Sequence, residues 1–439
     1  MKYISRRDVL KGTAGLAVGA AVASPALVDA ARAWAADMMW KPEAGAELRL
    51  LRWKRFVQSE EEAFQAAVDA FTKATGVAVR IDSEGFEDLR PKAAVAANIG
   101  SGPDIIWGIH ADAHLYPDAM MDVSDICDYL GGKYGGWYPI AEHYGKRAGK
   151  WINVPFTISG NFLNYRISQV KNAGFDKFPE TTGDFLTMMQ NLKKNGTPGG
   201  FALGNASGDG NSWTHWLLWS HGGKMVDKDD NVVINSPETI AALEYAAELG
   251  KTFISGAASW LDGHNNKAFL QGACSVSNNG ISIYAAAVIE GMTEIANDMD
   301  HANFPIGPVG EPTELHVLFP MMLYKHSKFP NAAKALVTWL SEKDQYDAFL
   351  QGSVGYLSHT LKDFAAHPVW TEDPKRLVFR DSALRSRSFA HEGSLGYAAS
   401  SVFADFVVVN MVAEAATGAK SPKDAAADAA RRAERYYRV

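Results

Sequence analysis

The stretch His110-Ala-Asp112-Ala-His114 sets three metal-ligating residue types on alternate positions, which an extended backbone would turn to one side. No fourth cluster at recognisable spacing accompanies them and no His-Glu-x-x-His pair occurs, so neither a metal nor a cofactor is expected. His110 follows a predicted strand directly and is therefore expected to contact a solute. A Gly-x-Ser-x-Gly elbow, a Walker loop and a catalytic Cys–His signature are all absent from the sequence. Carboxylate pairs for glycoside hydrolysis are spaced in three dimensions and leave no short motif, so a secreted glycoside hydrolase stands as the enzymatic alternative.

Tryptophans carry the second chemical signal. Trp53 and Trp107 end predicted strands, and Trp213 and Trp216 stand at helical spacing in the aromatic-dense run Asn211–Trp219. An indole ring at such a place can stack on the apolar face of a sugar, giving large contact area at low entropic cost. Lys54 and Glu87 follow strand ends and could hydrogen-bond hydroxyl groups. Each of these also has a structural reading, as a core-capping ring or a solvated charge.

The elements that would position them begin with Glu47–Trp53, an alternating run that predicts a strand. Ser59-Glu-Glu-Glu62 predicts a capped helix that closes at Gly76, and Val77–Ile81 a second strand. A second helix is predicted over Asp88–Asn98, and a third strand over Asp104–Trp107. Strand, helix, strand, helix, strand is the pattern of a parallel sheet flanked by helices, and such sheets bind ligands at the carboxyl ends of their strands. Trp151–Arg166 carries β-branched and aromatic residues with a Pro and a Gly, and reads as an extended crossing between two lobes. Pro155 cannot donate to a ladder, which places that strand at a sheet edge or breaks it there. Farther on, Asp227–Asn231 reads as a turn into a strand at Val232–Ile234. Ser236-Pro237 and Ser421-Pro422 each read as a capped helix start with proline in the first turn.

Several stretches, in order, resemble the extracellular solute-binding proteins of ABC importers, the family that includes the maltose- and other sugar-binding proteins. They are Gly100-Ser-Gly-Pro-Asp104, Val154-Pro-Phe with Leu163-Asn-Tyr-Arg166, Phe178-Pro-Glu-Thr-Thr, Ala268–Gly280 and Pro330–Leu340. The resemblance implies a two-lobed α/β periplasmic binding protein fold of type II, each lobe a mainly parallel sheet, with crossing strands between. It implies an N-terminal lobe of 47–154 plus 303–358 and a C-terminal lobe of 155–302 plus 359–439. It also implies a monomer without enzymatic activity, serving membrane permease subunits with a hydroxyl-rich solute such as a carbohydrate or polyol. Through it Asn279, Gly280, Ser282, Tyr284 and Tyr356 are expected at the ligand. Ser159 and Asn161 stand where maltose-type members carry a carboxylate, which leaves a polyamine or glycerol phosphate as alternatives within the class.

The N-terminus, Ser5-Arg6-Arg7-Asp8-Val9-Leu10-Lys11 followed by a Gly/Ala-rich run, resembles a twin-arginine export signal, expected over 1–36, and implies the periplasm. Removing those residues would leave 38 Lys+Arg against 48 Asp+Glu, a balance with no electrostatic footprint for nucleic acid. No later stretch is apolar for long enough to span a bilayer by sequence pattern. Cys127 and Cys274, the only two cysteines, lie far apart without a Cys-x-x-Cys spacing and are expected as free thiols.

Overall fold

In the computed structural model, which describes residues 24–438, the run Glu47–Trp53 forms strand β1. It pairs in parallel with β2 (Ala78–Glu84) and β3 (Ile105–Trp107). The connecting helices, Gln58–Thr75 and Leu89–Ile99, both stop at left-handed glycines, Gly76 (φ 79°) and Gly100 (φ 63°). The first helix starts ahead of Ser59, at a Val57 boundary without a side-chain cap, so Ser59 does not play the capping role its sequence context predicts.

β4 (Val154–Ser159) and β5 (Phe162–Arg166) are two consecutive strands in two different sheets. Only Gly160 and Asn161 separate them, so the crossing read from the sequence is a two-residue joint. β6 (Val276–Asn279) and β7 (Met299–Ala302) flank β5, and β8 (Val317–Leu323) returns to the first sheet. The strand orders are β2-β1-β3-β8-β4 and β6-β5-β7. β4 is thus an edge strand, which accommodates Pro155, and the register slips beside it between Phe319 and Pro320.

The architecture is the two-lobed α/β arrangement, with one difference in the smaller sheet. Its three strands pair antiparallel rather than mainly parallel, and the parallel pairings in that lobe are single bridges, from Gly199 to Phe253 and Val276 and from Thr181 to Ile306. β5 enters that sheet directly from the joint rather than through a crossover helix, so nothing requires a parallel order. Val232–Ile234 forms no strand, only a bridge between Val226 and Val232. The caps at Ser236 and Ser421 do form, each hydroxyl accepting the N–H three residues on.

Apolar packing completes the second lobe. The stretch Tyr397–Ala416 has the length and composition of a membrane span, but it is two helices broken at Asp405-Phe406 and largely buried. Its second half packs on the helices Pro237–Gly250 and Pro422–Tyr437. Cys127 and Cys274 are buried free thiols.

Of the expected leader, residues 1–23, including the twin arginines, lie outside the described residues. Residues Pro25–Ala36 form a helix opened by Ser24, whose hydroxyl accepts the Leu27 N–H. It lies on the first lobe, burying Val28 and Ala31 and setting Trp34 against Phe71 and Trp339 at ring distances of 6.2 and 5.4 Å. A chain beginning at Asp37 is therefore expected to be less stable than one beginning at Ser24 by about 2–4 kcal/mol, the cost of uncovering those side chains. Paired urea melts of the two purified chains measure the difference.

Candidate functional site

The joint requires a residue without a side chain. A Cβ on Gly160 would lie 2.3 Å from the Ser382 hydroxyl and 2.4 Å from the Phe162 ring, because three chain segments converge there. Asn161 follows, and its backbone N–H and both ends of its side-chain amide are engaged. Its N–H donates to His316 Nδ1 at 3.0 Å, its amide donates to Asp209 at 2.6 Å, and its carbonyl oxygen accepts from Asn278 at 2.8 Å. Since His316 Nδ1 accepts, its Nε2 carries the proton and donates to Glu314 at 3.2 Å. Glu314 is fully buried and also takes both arms of the Arg385 guanidinium, at 2.7 and 2.8 Å. Those contacts hold its carboxyl below the usual carboxylate range although burial opposes them.

Beside the joint lies a cleft with about 370 Å³ of empty space. One wall is polar and comes from the second lobe. Asp209 opens the helix Asp209–Ser220 and is held by amide donors from Asn161, Asn265 and Asn279. Asp262 caps the same helix, accepting the N–H groups of Gly208 (3.0 Å) and Asp209 (2.7 Å). Asn266, Asn279 and Ser282 form a closed hydrogen-bonded triangle on that wall. Burial pushes Asp209 well above the ordinary carboxylate range, and the charge of Asp262 adds to the shift. Burial likewise pushes Asp262 up to about 6.

The opposite wall is aromatic. Phe56, Phe86, Phe319 and Tyr356 line it, with Phe56 meeting Phe86 edge-on at 5.7 Å. Trp53 lies directly beneath, stacked on Phe319 at 4.5 Å.

The residues singled out from the sequence divide into two groups. Ser159, Asn161, Asn279, Gly280, Ser282 and Tyr356 line the cleft. Trp53 and Trp107 instead are fully buried below the aromatic wall, and their indole N–H groups meet no acceptor among the described residues. Trp213 and Trp216 are core residues of the second lobe, anchored by N–H bonds to the Ala202 and Pro305 carbonyls. Lys54 is exposed and outside the lining, and Tyr284 donates its hydroxyl to Asp373 away from the cleft. Glu87 is near enough to raise both cleft aspartates electrostatically without being part of the lining.

His110 is buried between Tyr144, Phe389 and Phe403 rather than at the cleft. Its neighbours in the candidate metal stretch diverge. Asp112 pairs with Arg90 and His114 Nε2 bonds the Tyr144 carbonyl, and no metal-binding cluster occurs among the described residues. Asp209, Asp262, Asn266, Phe56 and Phe86 were not singled out from the sequence. The Asp-Gly step at 209–210, heading an aromatic-rich helix, is the one local signal that marks any of them.

A model of the bacterial extracellular solute-binding protein family matches residues 66–378. A probable ABC transporter-binding protein of Deinococcus radiodurans is 24% identical over 289 residues, covering 62% of this chain and 67% of its own. Among solved structures, the GacH receptor of Streptomyces glaucescens is similar with a TM-score of 0.75 at 19% identity, over 90% of this chain and 99% of that one. A maltose-bound protein of T. maritima is similar with a TM-score of 0.77 at 19% identity, over 89% and 99%. An ABC transporter solute-binding protein of Agrobacterium radiobacter in complex with ribitol gives 0.75 at 18% identity, over 90% and 100%. At these identities the structures establish a shared fold.

Two stability effects follow from the geometry. Arg385→Ala leaves Glu314 buried without its cationic partner and is expected to cost about 3–5 kcal/mol, read as a lower urea midpoint. Separately, burial lowers His114, His215 and His359 each to about 4. Their neutral forms favour folding above pH 6.5, and that contribution is lost as pH falls from 6.5 toward 4, by about 1.4 kcal/mol per pH unit each. Asp262, raised to about 6, acts oppositely over a narrower range, so the melting temperature is expected to fall between pH 7 and pH 5.

Proposed function

The chain belongs to the bacterial extracellular solute-binding protein family, and from that premise we propose that its cleft captures a small hydroxyl-rich solute, a carbohydrate or polyol, for an ABC importer. The observation that carries this is the division of the cleft between lobes. Aromatic rings line one side, amides, hydroxyls and carboxylates line the other, and a two-residue joint lies between them. A sugar or polyol presents apolar C–H faces and hydroxyl edges to such a pair of walls. The maltose- and ribitol-bound relatives of the same fold support the reading.

The mechanism is capture without chemistry. The solute contacts both walls only when the lobes close about the joint, so its binding energy favours the closed form and shifts the population toward it. The membrane permease would then read the closed form. Asp209 and Asp262 are engaged by backbone and amide donors that orient them as acceptors, and the chain acts as a monomeric binder rather than a hydrolase. Export by the twin-arginine route to the periplasm fits the sequence of the leader.

Titrating the purified protein with a panel of sugars and polyols is expected to change its tryptophan fluorescence, because Trp53 underlies the aromatic wall. Tyr356→Ala is expected to weaken the best ligand by at least about tenfold while the urea midpoint changes much less than for Arg385→Ala. Silence across the whole panel, or recovery of a chemically altered ligand, would count against the proposal.

A further inference from the structure

The charges in the cleft are all of one sign. Asp209 is 6% exposed, and Asp262 lies beside it close enough to perturb it. Their partners are neutral, namely the side-chain amides of Asn161 and Asn265 and the peptide N–H groups of residues 208 and 209. Neither carboxylate forms an ion pair among the described residues, and no Lys, Arg or His lines the cleft. Glu87 adds a third negative group nearby, and its Oε1 is buried without a donor.

Elsewhere most buried carboxylates meet a cation. Glu60 and Asp112 are each matched by an arginine, Arg52 at 2.7 Å and Arg90 at 2.7 Å, and Glu314 by Arg385. Glu342 meets Lys133, and Asp104 is held by neutral donors, the Arg49 N–H and the Ser327 hydroxyl. The cleft differs in setting two carboxylates side by side with no cation, and the missing partner is a cation. Closure would strip water from them, and like charges in a medium of low dielectric repel strongly unless a positive group stands between them. The facing wall suits such a group, since the rings of Phe56, Phe86 and Tyr356 line the same space.

We infer that the solute carries a protonated amine, placed between Asp209 and Asp262 and the aromatic wall, so that the ligand is an aminated sugar or polyol. This rests on the proposed function and narrows it: Ser159, Asn266, Asn279 and Ser282 serve the hydroxyl groups, and the aspartates serve the nitrogen. A neutral carbohydrate would use the aspartates as hydroxyl acceptors without supplying a cation.

Isothermal titration at pH 7.5 with matched ligands tests the inference. One set is D-glucosamine, N-acetyl-D-glucosamine and D-glucose; the other is 1-amino-1-deoxy-D-sorbitol and D-sorbitol. The amine of at least one set is expected to bind about tenfold or more tightly than its neutral counterparts, and to weaken as sodium chloride is raised. In Asp262→Asn the ratio of amine to neutral affinity is expected to fall about tenfold. Should that variant not fold, the wild-type comparison and its salt dependence decide alone. Equal or tighter binding of the neutral members overturns the amine and leaves the carbohydrate reading standing. Failure of every ligand in both sets overturns the two together.

Discussion

Asn161 is the side chain on which the arrangement of the cleft depends. It follows Gly160, where a side chain would clash with Ser382 and Phe162, and it faces both the joint and the binding wall. Its N–H fixes the acceptor nitrogen of His316, which forces the His316 proton onto the side facing Glu314 and leaves Arg385 to complete that carboxylate. Its side chain meanwhile reads as an amide donor toward Asp209 and an acceptor from Asn278. One orientation satisfies all of these at once. A flipped amide would set its oxygen against the Asp209 carboxylate, so the network selects a single arrangement rather than adding many kilocalories.

A second constraint lies under the aromatic wall. Arg52 and Glu60 form a pair with almost no solvent exposure, and the guanidinium lies 4.8 to 5.2 Å from the centroids of the Trp53, Phe64 and Trp107 rings. Desolvating both charges offsets much of their attraction, so the pair is better understood as a shape-setting element than as a source of stability. It lies against both tryptophans, of which Trp53 stacks on Phe319 and Trp107 meets Trp53 at a 52° tilt, and Phe319 and Phe86 line the cleft above. The tryptophans thus act one layer below the position that their strand-end locations first imply.

How much of this could be read from the chain depends on whether the signal is local. The first sheet was legible because periodicity and left-handed glycines at 76 and 100 mark each boundary within a few residues. The joint was legible because an uncharged run with Pro155 and Gly160 admits few structures other than an edge strand and a turn. Asn161 lies next to those same markers, whereas Ser282 is reached through the family resemblance of the stretch ending at Gly280. The four tryptophans were not separable in this way. Cleft and core both favour a large ring, and what seats Trp213 and Trp216 in the core are carbonyls of Ala202 and Pro305, one of them 89 residues away. Asp209 and Asp262 were invisible for a related reason: they meet only because one caps the other's helix across a separation of 53 residues. The antiparallel smaller sheet was hidden as well, since pairing direction there follows from how the chain enters through the joint and not from strand composition.

These observations bear on how binding energy becomes motion. If both walls belonged to one lobe, a ligand would bind the open and closed forms with the same contacts and shift nothing. Here the aromatic wall is built on β8, on the segments after β1 and β2, and on the 353–358 return, all in or against the first sheet. The carboxylate and amide wall is built on β6 and on the helices starting at Asp209 and His264, in the second lobe. A ligand seated on one wall gains the other only by closure, so the free energy available to move the lobes is the whole contribution of the second wall. The chain passes between the two sheets at Gly160-Asn161 and again over 303–316, and at the first of these Asn161 is committed to His316 on one side and Asp209 on the other. Selectivity and closure therefore draw on the same few contacts, and a change that weakens either wall must alter both.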